Sequence, residues 1–259
     1  MQKVKRKIQL AATYQSFISA PMKEKLLEEI RQVLQSCADP QAKATSSRFF
    51  KPGEAALVYG VKNAEATKII REYLKQIKPL SKHEVFAICE ELWQSKYLEE
   101  AIIACRFSES LVAQYEPEDF QTIERWVNSY VNNWADCDSL CNHTIGSFVM
   151  KYPGYIEELK RWANSSHRWT KRGAAVSLII PARKGLFLKE IFEIADLLLL
   201  DKDDLVQKGY GWMLKAASES NQKAVFNYVV AKKAIMPRTA LRYAIEKMPK
   251  ELKAEAMKK

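Results

Sequence analysis

The chain has 259 residues, 47% hydrophobic and 28% charged, with 41 Lys and Arg against 31 Asp and Glu for a net charge of +10. That length and apolar content bury a sizeable core and exclude a disordered chain, while the surplus charge must sit on the surface, where it fits a polyanionic partner or a generic basic surface equally well. No apolar run reaches the length of a membrane helix. The five cysteines, an odd number set mostly in apolar helical patterns, argue for reduced thiols in a cytoplasmic protein rather than a disulfide framework.

The first seven residues, MQKVKRK, are basic as in a signal peptide, but Ile8 to Ala20 is interrupted by Gln9, Thr13, Gln15 and Ser16, so export is not expected. Residues 1–20 read as an N-terminal extension and 21–259 as one domain. With only 8 Gly and 9 Pro in an Ala-, Leu-, Lys- and Glu-rich chain, few turns are punctuated and helices are expected throughout. The periodicity and breaks predict helices over 22–37, 63–77, 82–94, 97–106, 117–132, 136–151, 155–164, 168–180, 186–200, 204–219, 221–232 and 237–247, with an irregular stretch over 44–62. In the C-terminal half, helix pairs (117–151, 155–180, 186–219 and 221–247) recur about every 40 residues, the period of HEAT-like repeats. The predicted architecture is all-α, an α-α superhelical solenoid with a basic concave groove; an ordinary helical bundle is the alternative.

Three segments carry candidate chemistry. In 130–141 (YVNNWADCDSLC), Trp134 and Asp138 share a face if the stretch is helical, although Asp136 and Asp138 also suit the capping of a helix start. Cys137, Cys141 and His143 lie close together there but fall short of a zinc set, and no metal is expected. In 168–180 (RWTKRGAAVSLII), Trp169, Gly173, Val176 and Ile180 form the buried stripe and Arg168, Lys171 and Arg172 are read as outside. Arg168 and Arg172 repel at i, i+4 unless an anion such as phosphate sits between them. In 204–219, Trp212 lies at the edge of the apolar face with Lys208 and Lys215 beside it, where it serves as core anchor or as nucleic-acid contact. Gly209 and Gly211 hint at tight packing or a ligand pressed against that turn.

Trp134 and Arg172 are 38 residues apart, and Arg172 and Trp212 are 40 apart, so each falls once per repeat and lines one surface of a solenoid. Two tryptophan faces attract a cation, by about 0.5–2 kcal/mol each. A carboxylate stabilises an oxocarbenium-like sugar and orients water. Such a set suits purines alkylated at N3 or N7, whose positive charge already weakens the glycosidic bond.

The segments SSRFFKPGE (46–54), YGVK (59–62), NNWADCDSL (132–140), RWTKRGAA (168–175), LVQKGYGWMLK (205–215) and MPRTALRYAIEKM (236–248) resemble, in order, those of the AlkD-like DNA alkylation repair glycosylases. The resemblance implies that Trp134 and Trp212 cradle the lesion, that Asp138 is the catalytic carboxylate, and that Arg172 grips the DNA backbone beside it. Lys215 matches a basic backbone-contacting position. It implies excision from double-stranded DNA containing alkylated purines, without base flipping. No cofactor is expected, and a monomer is, since a repeat groove needs no partner to embrace a duplex. Residues 1–20 find no counterpart, and 52–59 lacks the family's fuller glycine- and acid-containing loop. Two other readings share parts of this pattern: a catalytically silent DNA-binding repeat protein recognising bent or branched DNA, and a protein-interaction scaffold in which the tryptophans are core or interface anchors.

Overall fold

The computed structural model describes residues 20–50 and 57–258. The extension 1–20 lies outside them apart from Ala20, and so does 51–56 of the stretch read as irregular. The regular elements among the described residues are helices: α1 (Ala20–Ser36), α2 (Pro40–Ser47), α3 (Asn63–Ile77), α4 (Lys82–Gln94), α5 (Leu98–Ser110), α6 (Asp119–Ser129), α7 (Trp134–Ser139), α8 (Gly146–Lys151), α9 (Ile156–Ala163), α10 (Arg168–Val176), α11 (Ile179–Arg183), α12 (Leu188–Leu198), α13 (Asp204–Lys232), α14 (Arg238–Ala244) and α15 (Lys250–Met257). A π-helical turn, Leu140–Ile145, joins α7 to α8. Extended pairing among the described residues is confined to two isolated bridges, Ala38 with Val61 and Leu57 with Tyr97.

Two of these helices were not expected. The signal for α2 is present in Asp39-Pro40: the Asp39 carboxylate accepts from the Gln41 and Ala42 N–H groups, and proline suits the first helical position. Pro249 stands just ahead of α15, at its N-cap position, with no side-chain cap. The two helices expected over 204–219 and 221–232 run together as α13, interrupted at Asn221 (φ −135°, ψ 49°).

The helices stack in two rows. The contacts run α5 to α7, α7 to α10, and α10 and α11 to α13 in one row, while α9 packs on α12 in the other. A ladder of polar bonds ties the second row together. Glu90 of α4 accepts from Arg125, Tyr130 and, at 2.6 Å, the Trp126 indole, all on or just past α6. Glu124 of α6 accepts from Arg161 and, at 2.6 Å, the Trp162 indole of α9, and Lys160 of α9 reaches Glu193 of α12 at 2.6 Å. Trp126 and Trp162 are fully buried, so each indole N–H needs this acceptor. The Arg125 guanidinium, with two further donors, holds the Glu90 carboxyl down at about 2. The Arg-Trp pairs at 125–126 and 161–162 are a readable trace of the repeat that helix spacing alone had suggested.

The irregular segment 57–61 is a buckle between the first helices and α5. The buried Glu99 carboxylate accepts from the backbone N–H groups of Tyr59 (3.1 Å), Gly60 (2.8 Å) and Val61 (3.1 Å). Gly60 adopts φ +92°, and a Cβ there would lie 2.6 Å from Lys43 Cβ and 2.9 Å from the Asp39 carbonyl, so glycine is required by both strain and space. The YGVK motif is thereby accounted for by packing.

Candidate active site

Asn133 caps α7, its side chain accepting from the Asp136 N–H at 3.0 Å, so the capping allotted by sequence to Asp136 belongs to Asn133. The turn that follows carries Trp134 and Asp138 on one face. The π-helical turn comes directly after it, a feature that recurs near functional sites.

Asp138 is gripped from the next repeat. Arg172 Nε donates to Oδ1 and Nη2 to Oδ2, both at 2.8 Å, and Nη1 donates to the Leu205 carbonyl at 2.5 Å. The expectation that Arg172 lies outside is corrected: it is 5% exposed. Arg172 sits between Trp169 and Val176 on the buried stripe of α10, and a buried guanidinium is tolerated because a carboxylate 34 residues earlier pairs with it. Gly209 on α13 leaves room for it; a Cβ there would lie 3.3 Å from Arg172 Cγ, while one on Gly211 would lie 2.8 Å from the Ala240 carbonyl. The close approach hinted at by both glycines is protein against protein. Burial pushes the Asp138 carboxyl above its ordinary value and the Arg172 guanidinium opposes that push.

Trp134 is half-buried, and its indole N–H donates to the Phe49 carbonyl at 3.2 Å while the Phe50 ring stands 5.9 Å away. The SSRFF segment thus anchors Trp134 across 85 residues, a contact that no sequence spacing announces. Trp212 is half-buried against the core on α13, three residues beyond Gly209, at the edge of the apolar face where the periodicity put it. The structure therefore joins Asp138, Arg172 and the α13 turn that carries Trp212, with Trp134 on the face of Asp138.

The remaining predicted DNA-binding cations are all paired within the chain. Arg168 donates to Asp203, Lys208 lies 3.1 Å from Asp204, and Lys215 lies 2.9 Å from Glu246 with its ammonium 5.6 Å from the centre of the Tyr243 ring. The repulsion expected between Arg168 and Arg172 is relieved by the protein's own anions, Asp203 and Asp138. Cys137 and Cys141 are buried, and Cys137 Sγ donates to the Trp169 carbonyl at 3.4 Å.

Asp136, which the sequence offers only as a helix cap, is a buried carboxylate. It is 5% exposed, Oδ2 accepts from the Asn133 amide at 2.5 Å, and Oδ1 has no hydrogen-bond partner among the described residues. Burial pushes its carboxyl up to about 7. A carboxyl raised on folding binds an extra proton in the folded state, so it favours folding progressively less as pH rises from 3.8 through about 7. Asp136→Asn, which retains an acceptor for Asn133, is expected to stabilise the protein by about 1–2 kcal/mol at pH 8, against a conversion of ~1.4 kcal/mol per pKa unit, and by much less at pH 5. Thermal melts at the two pH values check this; an equal change at both would rule out the titrating carboxyl as the cause.

The sequence pattern of DNA alkylation repair enzymes matches residues 30–248. A solved structure, described as a predicted DNA alkylation repair enzyme from Enterococcus faecalis, has the same fold: TM-score 0.72 at 17% identity, covering 82% of this chain and 97% of that one. No curated protein matches the chain. An all-α, solenoid-like chain carrying the family pattern over most of its length belongs to the family of DNA alkylation repair enzymes, and its role is in DNA repair.

Proposed function

We propose that the protein is a DNA glycosylase that hydrolyses the N-glycosidic bond of cationic N3- or N7-alkylated purines in double-stranded DNA, without flipping the base. The observation that carries this reading is the Asp138 carboxylate, fixed at both oxygens by Arg172 on the same face as Trp134. Each oxygen keeps a lone pair for a further partner. As the bond between the sugar C1′ and the purine nitrogen breaks, its electron pair passes to the cationic base, which leaves neutral, and positive charge develops on the sugar. The carboxylate stabilises that charge and orients the water that adds to C1′; the water's proton passes to Asp138 or to solvent. Trp134 and Trp212 offer faces to the cationic nucleotide. A rigid carboxylate in place before the lesion arrives needs no reorganisation during the reaction.

A second reading, a silent DNA-binding repeat protein, draws on the same ion pair: a carboxylate already neutralised by arginine is a weaker electrostatic catalyst than a free one. The assay that separates them incubates the protein with a duplex containing a single N7-methylguanine and measures free base. Release above the spontaneous rate supports the glycosylase; duplex binding without release supports the silent protein.

A further inference from the structure

One oxygen of each of two carboxylates beside the site is tied to backbone, and the other to a cation of α10: Arg168, which the sequence offered for phosphate, and Lys171, three residues further on. Asp203 Oδ1 accepts from the Leu205 N–H at 2.9 Å, capping α13, while Oδ2 takes the Arg168 guanidinium. Asp201 Oδ1 accepts from the Asp203 N–H at 2.8 Å, while Oδ2 takes the Lys171 ammonium. The carboxylates are the fixed members of these pairs, at 17% and 13% side-chain exposure; Arg168 is 44% exposed and Lys171 21%. Together with Lys202 and Asp204 these groups line an open depression of about 650 Å³ in which three cations face three carboxylates. It adjoins the site directly: Arg168 lies one turn before Arg172 on α10, and Asp203 lies two residues before Leu205, whose carbonyl takes Arg172. In a chain of net charge +10, the surface next to the proposed lesion site is locally neutral.

We propose that Asp201 and Asp203 are internal competitors for the DNA backbone: they hold Lys171 and Arg168 until phosphates take those cations over. The exchange lowers affinity for undamaged duplex and flattens its salt dependence. This rests on the DNA-binding part of the function proposed above. An exposed ion pair contributes little stability, so Arg168 is the cation surrendered most readily, and the half-buried Lys171 follows at a higher cost. A phosphate contact made by a free cation releases a condensed counterion and steepens the salt dependence by about 0.9 per phosphate. A cation leaving a carboxylate strands an anion that takes up a salt cation in turn, cancelling much of that release. Asp201 and Asp203 also lie within a Debye length, about 10 Å at 0.1 M salt, of any phosphate bound by their partners, so their negative charge opposes the backbone even after exchange.

The test measures binding of an undamaged, fluorescein-labelled duplex by anisotropy from 50 to 300 mM salt, for the unaltered protein and for Asp201→Asn/Asp203→Asn. Asparagine is a good cap and keeps an acceptor for the Leu205 and Asp203 amides; melting curves check that the fold is retained, and if the double variant is destabilised the single variants are read in the same way. The expected result is roughly tenfold tighter binding at 0.1 M salt and a slope of log affinity against log salt steeper by about 1–2. Most of the gain in affinity, and all of the gain in slope that comes from the freed cations, should be lost when Arg168→Gln and Lys171→Gln are added, leaving only the through-space part. Affinity and slope unchanged in the aspartate variant, or weakened binding, would overturn the proposal. Absence of duplex binding by the unaltered protein at every salt concentration would instead overturn the DNA-binding reading on which it rests.

Discussion

Asp138→Asn is expected to lower the rate of base release from an N7-methylguanine duplex by about 10²-fold or more, the usual effect of removing one preorganised electrostatic group from an active site. The substitution keeps size and one acceptor oxygen for Arg172 Nε, so geometry changes little; what disappears is the negative charge facing the sugar. Duplex affinity should not fall with activity, because losing an acid makes the surface more positive, and a labelled-duplex titration separates the two effects. The variant carries a structural cost, since a guanidinium 5% exposed loses its counter-charge, and melts taken alongside the kinetics ensure that rates are compared on folded protein. The pH dependence adds a second signature. Burial holds the Asp138 carboxyl above its ordinary 3.8, so activity of the unaltered enzyme should be lost with falling pH before an ordinary aspartate would protonate, and the Asn variant's residual rate should lack that acid limb. Full activity in Asp138→Asn would remove the carboxylate from the mechanism.

Arg172→Met is expected to cost about 3–5 kcal/mol of stability, because it strands a buried carboxylate rather than deleting a pair. For a chain of this size that corresponds to a fall in Tm of roughly 10 °C. Nη1 also leaves the Leu205 carbonyl, loosening α10 from α13 two turns before Trp212. Activity should fall as well, and in a way that exposes a positioning role: without the guanidinium the Asp138 pKa climbs further, so the acid limb of the rate profile moves to higher pH. A variant that only unfolds would lose amplitude without that movement. The double variant Asp138→Leu/Arg172→Met removes both charges and should recover much of the stability of Arg172→Met while staying inactive, since replacing a whole buried pair by apolar groups is often near neutral. Equal destabilisation by the single and the double variants would argue against the ion pair as the origin of the loss.

The helical plan was legible because burial by a period of 3.6 is a local property. The apolar spacing of α3, α4, α10 and α12 is written within each segment, and the 38- and 40-residue intervals between Trp134, Arg172 and Trp212 follow from equal repeats. The same reasoning brought Trp134 and Asp138 onto one face of α7 and left Trp212 at the edge of its apolar stripe. It overlooked α2 and α15, whose Asp-Pro and Pro starts are local signals that were available.

Which charged side chain meets which is a different kind of question. Arg172 looked external because a lone arginine belongs in water; it is internal because Asp138, one repeat away, makes burial tolerable. The Phe49 carbonyl on Trp134, the Glu99 buckle around Gly60 and the aspartates on Arg168 and Lys171 likewise join residues 30 to 85 positions apart. By itself the sequence determined the all-helical class, the repeat spacing and the candidate residues, since each depends on neighbours within a turn or on a repeat length. Only the tertiary structure decided that Arg172 serves Asp138 and that Arg168, Lys171 and Lys215 are already paired, because an ion pair is set by distance in space, and stacking helices brings together groups that the chain keeps far apart.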